Sequence, residues 1–135
     1  MNRLTSFLLL GLLVAGCGGS EKASGTVAGK VTFQGAPVVE GNVTFIKVGG
    51  GGSGAGVIQS DGTYSAKGVD GGIPTGDYVA VVTPPEVTRD RGPNTSPEVA
   101  FKEMKDIPAK YRSEATSDLK VTIREGQNDF NIEMK

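Results

Sequence analysis

From residue 26 onward the apolar positions recur every second residue, in short runs separated by Gly and Pro. Residues 26–33 set Val27, Gly29, Val31 and Phe33 on one face against Ala28, Lys30 and Thr32 on the other, which predicts a half-buried strand. Gly35-Ala36-Pro37 breaks that run, and Gly41 precedes a second predicted strand over 42–48. The glycine run 49–56 reads as a loose connection to a short strand at 57–59. Asp61-Gly62 predicts a two-residue hairpin with positive φ at both central positions, opening a strand over 63–67. A turn at 73–77 opens the most apolar strand, 78–83, and Pro84-Pro85 stops it. Two closing strands follow at 119–124 and 129–134, joined by a turn at Gly126-Gln127-Asn128.

The stretch between them is polar and less regular. Ser96 as N-cap, Pro97 at the first helical position and Glu98 in the first turn mark a helix start. Ala100, Phe101, Met104 and Ile107 then share a helical face until Pro108, predicting one short amphipathic helix in the long loop before the last two strands. About seven short strands without alternating helices predict an all-β fold: a seven-stranded antiparallel β-sandwich. Its expected core is Val27, Val31, Phe33, Val43, Phe45, Tyr64, Tyr78, Ala80, Val82, Val121, Ile123, Phe130 and Ile132.

Upstream of residue 26 the pattern is different. Arg3 gives a positive start, and residues 7–15 form a nine-residue apolar run, about half of what a ~30 Å bilayer core requires. That length fits a secretory leader. Val14-Ala15-Gly16-Cys17 resembles the lipobox of bacterial lipoproteins, in which an aliphatic residue and two small ones precede the acylated cysteine. The resemblance implies signal-peptidase recognition at Val14, Ala15 and Gly16, cleavage after residue 16, and a thioether-linked lipid on Cys17. Two or more acyl chains hold stably where one is marginal, so the membrane itself is the first expected partner. Residue 18 is Gly, not the Asp that resembles an inner-membrane retention signal, which favours an outer-membrane location in the bacterial envelope. The expected organisation is a signal peptide over 1–16, a lipidated cysteine and Gly/Ser-rich tether over 17–25, and one β-domain over 26–135.

Composition narrows the chemistry. The chain has no His and one Cys, so a Cys/His zinc site, a Ser-His-Asp triad and a Cys-His pair are excluded. With the single thiol assigned to acylation, none is left for a disulfide, within the chain or to a partner. A formal charge of −1, which becomes −2 once Arg3 departs with the leader, offers no field for nucleic acid.

Three pieces of the domain carry a family resemblance. They are Gly29-Lys30-Val31-Thr32 with Gly35-Ala36-Pro37-Val38, then Asp61-Gly62-Thr63-Tyr64, then Ile73-Pro74-Thr75-Gly76-Asp77-Tyr78. In this order they resemble the carboxypeptidase regulatory-like domains, the transthyretin-like (prealbumin-like) β-sandwich group. Ile107-Pro108-Ala109-Lys110-Tyr111 with Gly126-Gln127-Asn128 is similar to the ending of small envelope lipoproteins carrying that domain. The resemblance implies a scaffold, not a peptidase.

Candidate sites are few. Gly49, Gly51 and Gly54 spell G-x-G-x-x-G, but the dinucleotide fingerprint needs a helix on those glycines, and here another strand is expected. Asp61, Asp70 and Asp77 could converge on Ca²⁺, although turn chemistry already favours Asp at two of these positions. The acid pairs Glu98/Glu103 and Asp106/Glu114 have no nucleophile beside them. Tyr64 and Tyr78 suit core positions, leaving Tyr111, between Lys110 and Arg112, as the aromatic expected to contact a ligand. No cofactor and no metal is implied. The expected function is a non-catalytic envelope lipoprotein that binds or supports another envelope protein or glycan. The alternative is a carbohydrate or small-ligand binder using residues 84–112, and an enzyme ranks last.

Overall fold

The computed structural model describes residues 22–135, so Val14, Ala15, Gly16 and Cys17 lie outside the described residues. The fold is all-β and sandwich-like, with no closed barrel. One layer is organised around β1 (Ser24–Phe33), which pairs with β2 (Ala36–Pro37), β5 (Thr63–Ala66) and β6 (Ile73–Pro74) on one side. On its other side lie β11 (Gly126–Asp129) and β12 (Ile132–Met134). The second layer is the four-stranded sheet β10-β7-β3-β4, with β3 at Asn42–Lys47, β4 at Ser53–Val57, β7 at Gly76–Thr83 and β10 at Lys120–Ile123. A separate hairpin pairs β8 (Glu86–Arg89) with β9 (Glu98–Phe101).

Period-two alternation fills the space between the layers. Val27 and Val31 face Val43, Phe45, Tyr78, Ala80 and Val82, all buried in one cluster. Phe45 of the second layer bridges to Tyr64 and Phe130 of the first, each with ring centroids 6.2 Å away. Of the expected core, Phe33, Val121 and Phe130 are only partly buried, because each sits near a margin of the layers. Val38, Ile58, Ala66, Ile73, Ile107, Tyr111 and Met134 join the core as well, Ala66 and Met134 in step with Tyr64 and Ile132 on their strands and the others from turns and irregular segments.

Five expectations are corrected. The helix over 96–107 does not form; residues 98–101 are strand β9, pairing Val99 with Thr88 and Phe101 with Glu86. A segment this short cannot offset helix nucleation alone, and the adjacent Glu86–Arg89 offers an extended partner. The only helical turn among the described residues is a 3-10 turn at Ala109–Arg112. The strand expected at 57–59 lies instead at Ser53–Val57, inside the glycine run. Gly54 and Gly56 are there because a Cβ would run into the Ile73 side chain and the Ser65 carbonyl.

The Asp61-Gly62 hairpin is a three-residue loop, not a two-residue one. Gly62 N–H donates to Gln59 O (2.9 Å) and Gln59 N–H to Thr63 O (2.8 Å), and only Gly62 has positive φ (84°). The closing strands do not pair with each other. β10 pairs antiparallel with β7, after which the chain crosses layers, and β11 and β12 run parallel to β1. Gly126-Gln127-Asn128 therefore belongs to β11, and the Asn128 side chain stabilises the crossing. Its Nδ2 donates to Arg124 O (2.8 Å) and Thr26 O (3.1 Å), while its Oδ1 accepts from Arg124 N–H (3.0 Å).

Candidate functional site

β1 gives the molecule an axis of about 33 Å, at ~3.3 Å per strand residue. Its start, Ser24, is where the expected tether joins. Pro74 pairs with Ser24, and a Cβ on Gly72 would meet the Ser24 side chain. The loop Gly49–Gly52 lies at this same end, since Gly52 backs onto Tyr78 and Pro74. Gly49, Gly50 and Gly51 all have positive φ (83–85°) with open space where a Cβ would sit. These glycines turn β3 into β4, and the G-x-G-x-x-G reading ends there: the last glycine is inside a strand.

Surface depressions gather at this tether end. One of about 380 Å³ is lined by Val48, Asp77, Tyr78, Lys120, Val121 and Thr122. Another of about 480 Å³ lies between Lys22, Ser24, Asp70, Gly72 and Pro74. Two smaller ones, about 230 Å³ each, share Ser53 and Val69, one reaching Lys67 and the other Asp70. None encloses a converging set of reactive groups. Val69 at the loop tip is 98% exposed and Val48 58% exposed.

The far end is built differently. Ile107 and Tyr111 close the gap between the layers, with Ile107 against Gly41 and near Ile58. Arg112 holds this plug by donating through Nε to Ile107 O (2.8 Å) and through a terminal nitrogen to Met104 O (2.8 Å). Tyr111 is 4% exposed, and its hydroxyl accepts from Lys135 N–H (3.2 Å). Its expected role as a surface contact is corrected accordingly: the ring is core. Lys110 beside it pairs with Asp118 (2.6 Å), which pushes the lysine up and the carboxyl down from their ordinary values. Ser117, a buried hydroxyl, donates to Ala80 O (2.6 Å).

Beyond the plug stands the β8–β9 hairpin. It leaves the far end of β7 through Pro84-Pro85, and neither strand pairs with another sheet. Lys102 N–H donates to Pro85 O (2.8 Å), and the Lys102 ammonium pairs with Glu40. Val87 and Ala100 are half-buried, whereas Val99 (63% exposed) and Phe101 (46%) face solvent.

The aspartates do not converge. Asp61 accepts from Thr63 N–H (3.0 Å) and Oγ1–H (2.6 Å), bonds that hold its carboxyl below the ordinary value. It lies about 20 Å along β1 from the end that carries Asp70 and Asp77, given the Lys30–Thr63 and Ser24–Pro74 pairings. Asp77 accepts from Thr122 Oγ1 (2.7 Å). Among the described residues no three His, Cys, Asp or Glu side chains group as a metal site. Of the acid pairs, Glu98 instead approaches Arg91 (3.7 Å).

Val69 has no signal in the sequence, because a lone Val inside a glycine loop has no periodicity, and Val48, expected to end the 42–48 strand, lies just past β3. Comparison with protein-family models, curated proteins and solved structures returns no match to the chain.

Proposed function

We propose that the chain is a non-catalytic, lipid-anchored protein of the bacterial envelope whose sandwich holds a binding hairpin away from the membrane. The lipobox-like Val14-Ala15-Gly16-Cys17 supports the anchor. One observation carries the rest. The tether joins at Ser24, and the exposed Val99 and Phe101 stand on a doubly unpaired hairpin at the opposite end. Isolated two-stranded hairpins are marginal, and unpaired strand edges accept an extended partner strand. Anchoring at a surface raises the effective concentration for such a contact.

Intact-mass measurement of native protein tests the anchor. The expected mass is residues 17–135 plus acyl groups on Cys17, and an unmodified mass overturns it. The hairpin is tested by co-purification from the envelope with Val99→Ser and Phe101→Ser together. Retained thermal stability with loss of the co-purifying protein is expected, and unchanged co-purification overturns the hairpin's role. The small-ligand alternative over 84–112 would have to work without Tyr111, whose ring is buried.

A further inference from the structure

The tether end carries a charge balance opposite to that of the rest of the molecule. Lys22, Lys47, Lys67, Lys120 and Arg124 stand there against Asp70, Asp77 and Glu125. The remaining described residues hold eight basic side chains against eleven acidic ones. A predominantly acidic protein thus turns its one net-positive end toward the point where the tether joins.

That same end presents Val69, 98% exposed, on the Gly68–Gly72 loop and Val48, 58% exposed, beside the Gly49–Gly52 loop. Few arrangements leave a valine this bare, and its neighbours are glycines, Lys67 and one acid, Asp70, which Lys22 also faces across a shared depression. Bare apolar tips on an end with five basic side chains against three acidic ones match a surface of negative headgroups over hydrocarbon. Seven Cα-to-Cα steps lead from Cys17 to Ser24, so that end lies within about 25 Å of the lipidated cysteine at full extension.

We propose that the tether end is itself a docking surface for an anionic lipid bilayer, with Val69 and Val48 seated among the headgroups and Lys22 and Lys67 beside them. The inference rests on the acyl-anchor reading above, and it adds orientation: the molecule stands on its tether end and holds the β8–β9 hairpin outward. The glycine loops serve this contact by letting backbone and short side chains approach the headgroups closely.

The test uses the acylated mature chain, in which Cys17 is blocked as a thioether and Val69→Cys supplies one free thiol for a fluorophore. A second protein carries the label through Phe101→Cys. Both are reconstituted on phosphatidylcholine vesicles with or without about one-third phosphatidylglycerol, containing nitroxide-labelled lipid as quencher. The label at 69 is expected to be quenched on the anionic vesicles and the label at 101 to be spared. Lys22→Ala with Lys67→Ala should cut the docking equilibrium on the order of 25-fold, since each lysine near such a surface contributes about fivefold.

Flotation with the vesicles reports the anchor separately. Flotation without quenching at 69 overturns the docking surface and leaves the anchor standing. Equal quenching at 69 and 101, or quenching that survives loss of both lysines, also overturns it. Failure to float overturns anchor and docking together.

Discussion

The two ends of the sandwich solve different problems with different residues. The tether end is made of glycine: Gly49 to Gly52, Gly68, Gly71, Gly72 and Gly76 carry the chain from strand to strand with almost no side-chain volume. Its stability comes from backbone pairing and from Tyr78, whose hydroxyl donates to Pro74 O (2.7 Å). The far end is made of side chains: Ile107 and Tyr111 fill the gap, Arg112 ties off the carbonyls, and Ser117 binds β7. An end built on backbone can expose its loop tips without loss. One built on packing cannot, and it must place any exposed contact on an added element, which here is the β8–β9 hairpin.

The sharpest way to break this contrast is to delete volume at each end. Ile107→Ala should cost about 3 kcal/mol in urea unfolding, since the side chain is fully buried and cavity formation adds to lost transfer energy. Val69→Ala should cost less than about 0.5 kcal/mol, because nothing packs on it. Equal effects would mean that the plug is not what closes the far end.

Alkaline titration probes the middle of the axis. The Tyr64 hydroxyl donates to Phe130 O (2.5 Å), and burial pushes it well above its ordinary value of 10.0. Tyr78 moves in the same direction for the same reason. A raised folded-state value means that the neutral phenol is preferred in the fold. The stability it contributes is therefore complete below pH 10, and it falls as pH climbs above that, by up to about 1.4 kcal/mol per pH unit for each group. Tyr64→Phe should reduce this slope, and an unchanged slope would place the titration elsewhere.

The glycine loop gives a smaller effect. At Gly50, φ is 84° and space is open where a Cβ would sit, so Gly50→Ala meets no clash but strains the backbone. The expected cost is about 1 kcal/mol, read as a lower urea midpoint with unchanged slope. No cost at all would show that the loop relaxes out of this conformation.

The legibility of the sequence follows the same division. Strands β1 and β3 are readable because each has one more deeply buried face and a side-chain period of two, and β7 because its apolar run Tyr78 to Val82 is buried on both faces. What escapes is whatever depends on contacts distant in the chain. Strand β4 is hidden by glycines whose purpose is close approach to Ile73 and Ser65. The parallel β1–β11 pairing is hidden because Gly126 and Asn128 are equally good turn residues. Tyr111 looks like a surface aromatic between two cations, yet the ring goes inward, covered by the Lys110 ammonium (5.2 Å to the centroid) that pairs with Asp118, while Arg112 turns to backbone carbonyls. Of the candidate sites, the lipobox-like Val14-Ala15-Gly16-Cys17 rests on a local motif outside the described residues, whereas the hairpin is not legible, since Ser96-Pro97-Glu98 begins a strand as readily as a helix.

The weakest expected effect bears most directly on the hairpin. Lys102 and Glu40 are both near half exposure, so their ion pair contributes only a few tenths of a kcal/mol to global stability, and Lys102→Ala should leave the melting temperature almost unchanged. Locally the pair matters more. Besides the Lys102 N–H···O Pro85 bond, it is a mooring between the hairpin and the β2–β3 connection. Two-stranded units open independently of the core when few contacts hold them. Hydrogen exchange at the β8–β9 amides should therefore quicken several-fold in Lys102→Ala while the β3 and β7 amides keep their protection. Uniform change across all strands would mean that the hairpin opens only with the whole sandwich, and that the far end, like the tether end, is a single cooperative part of one fold.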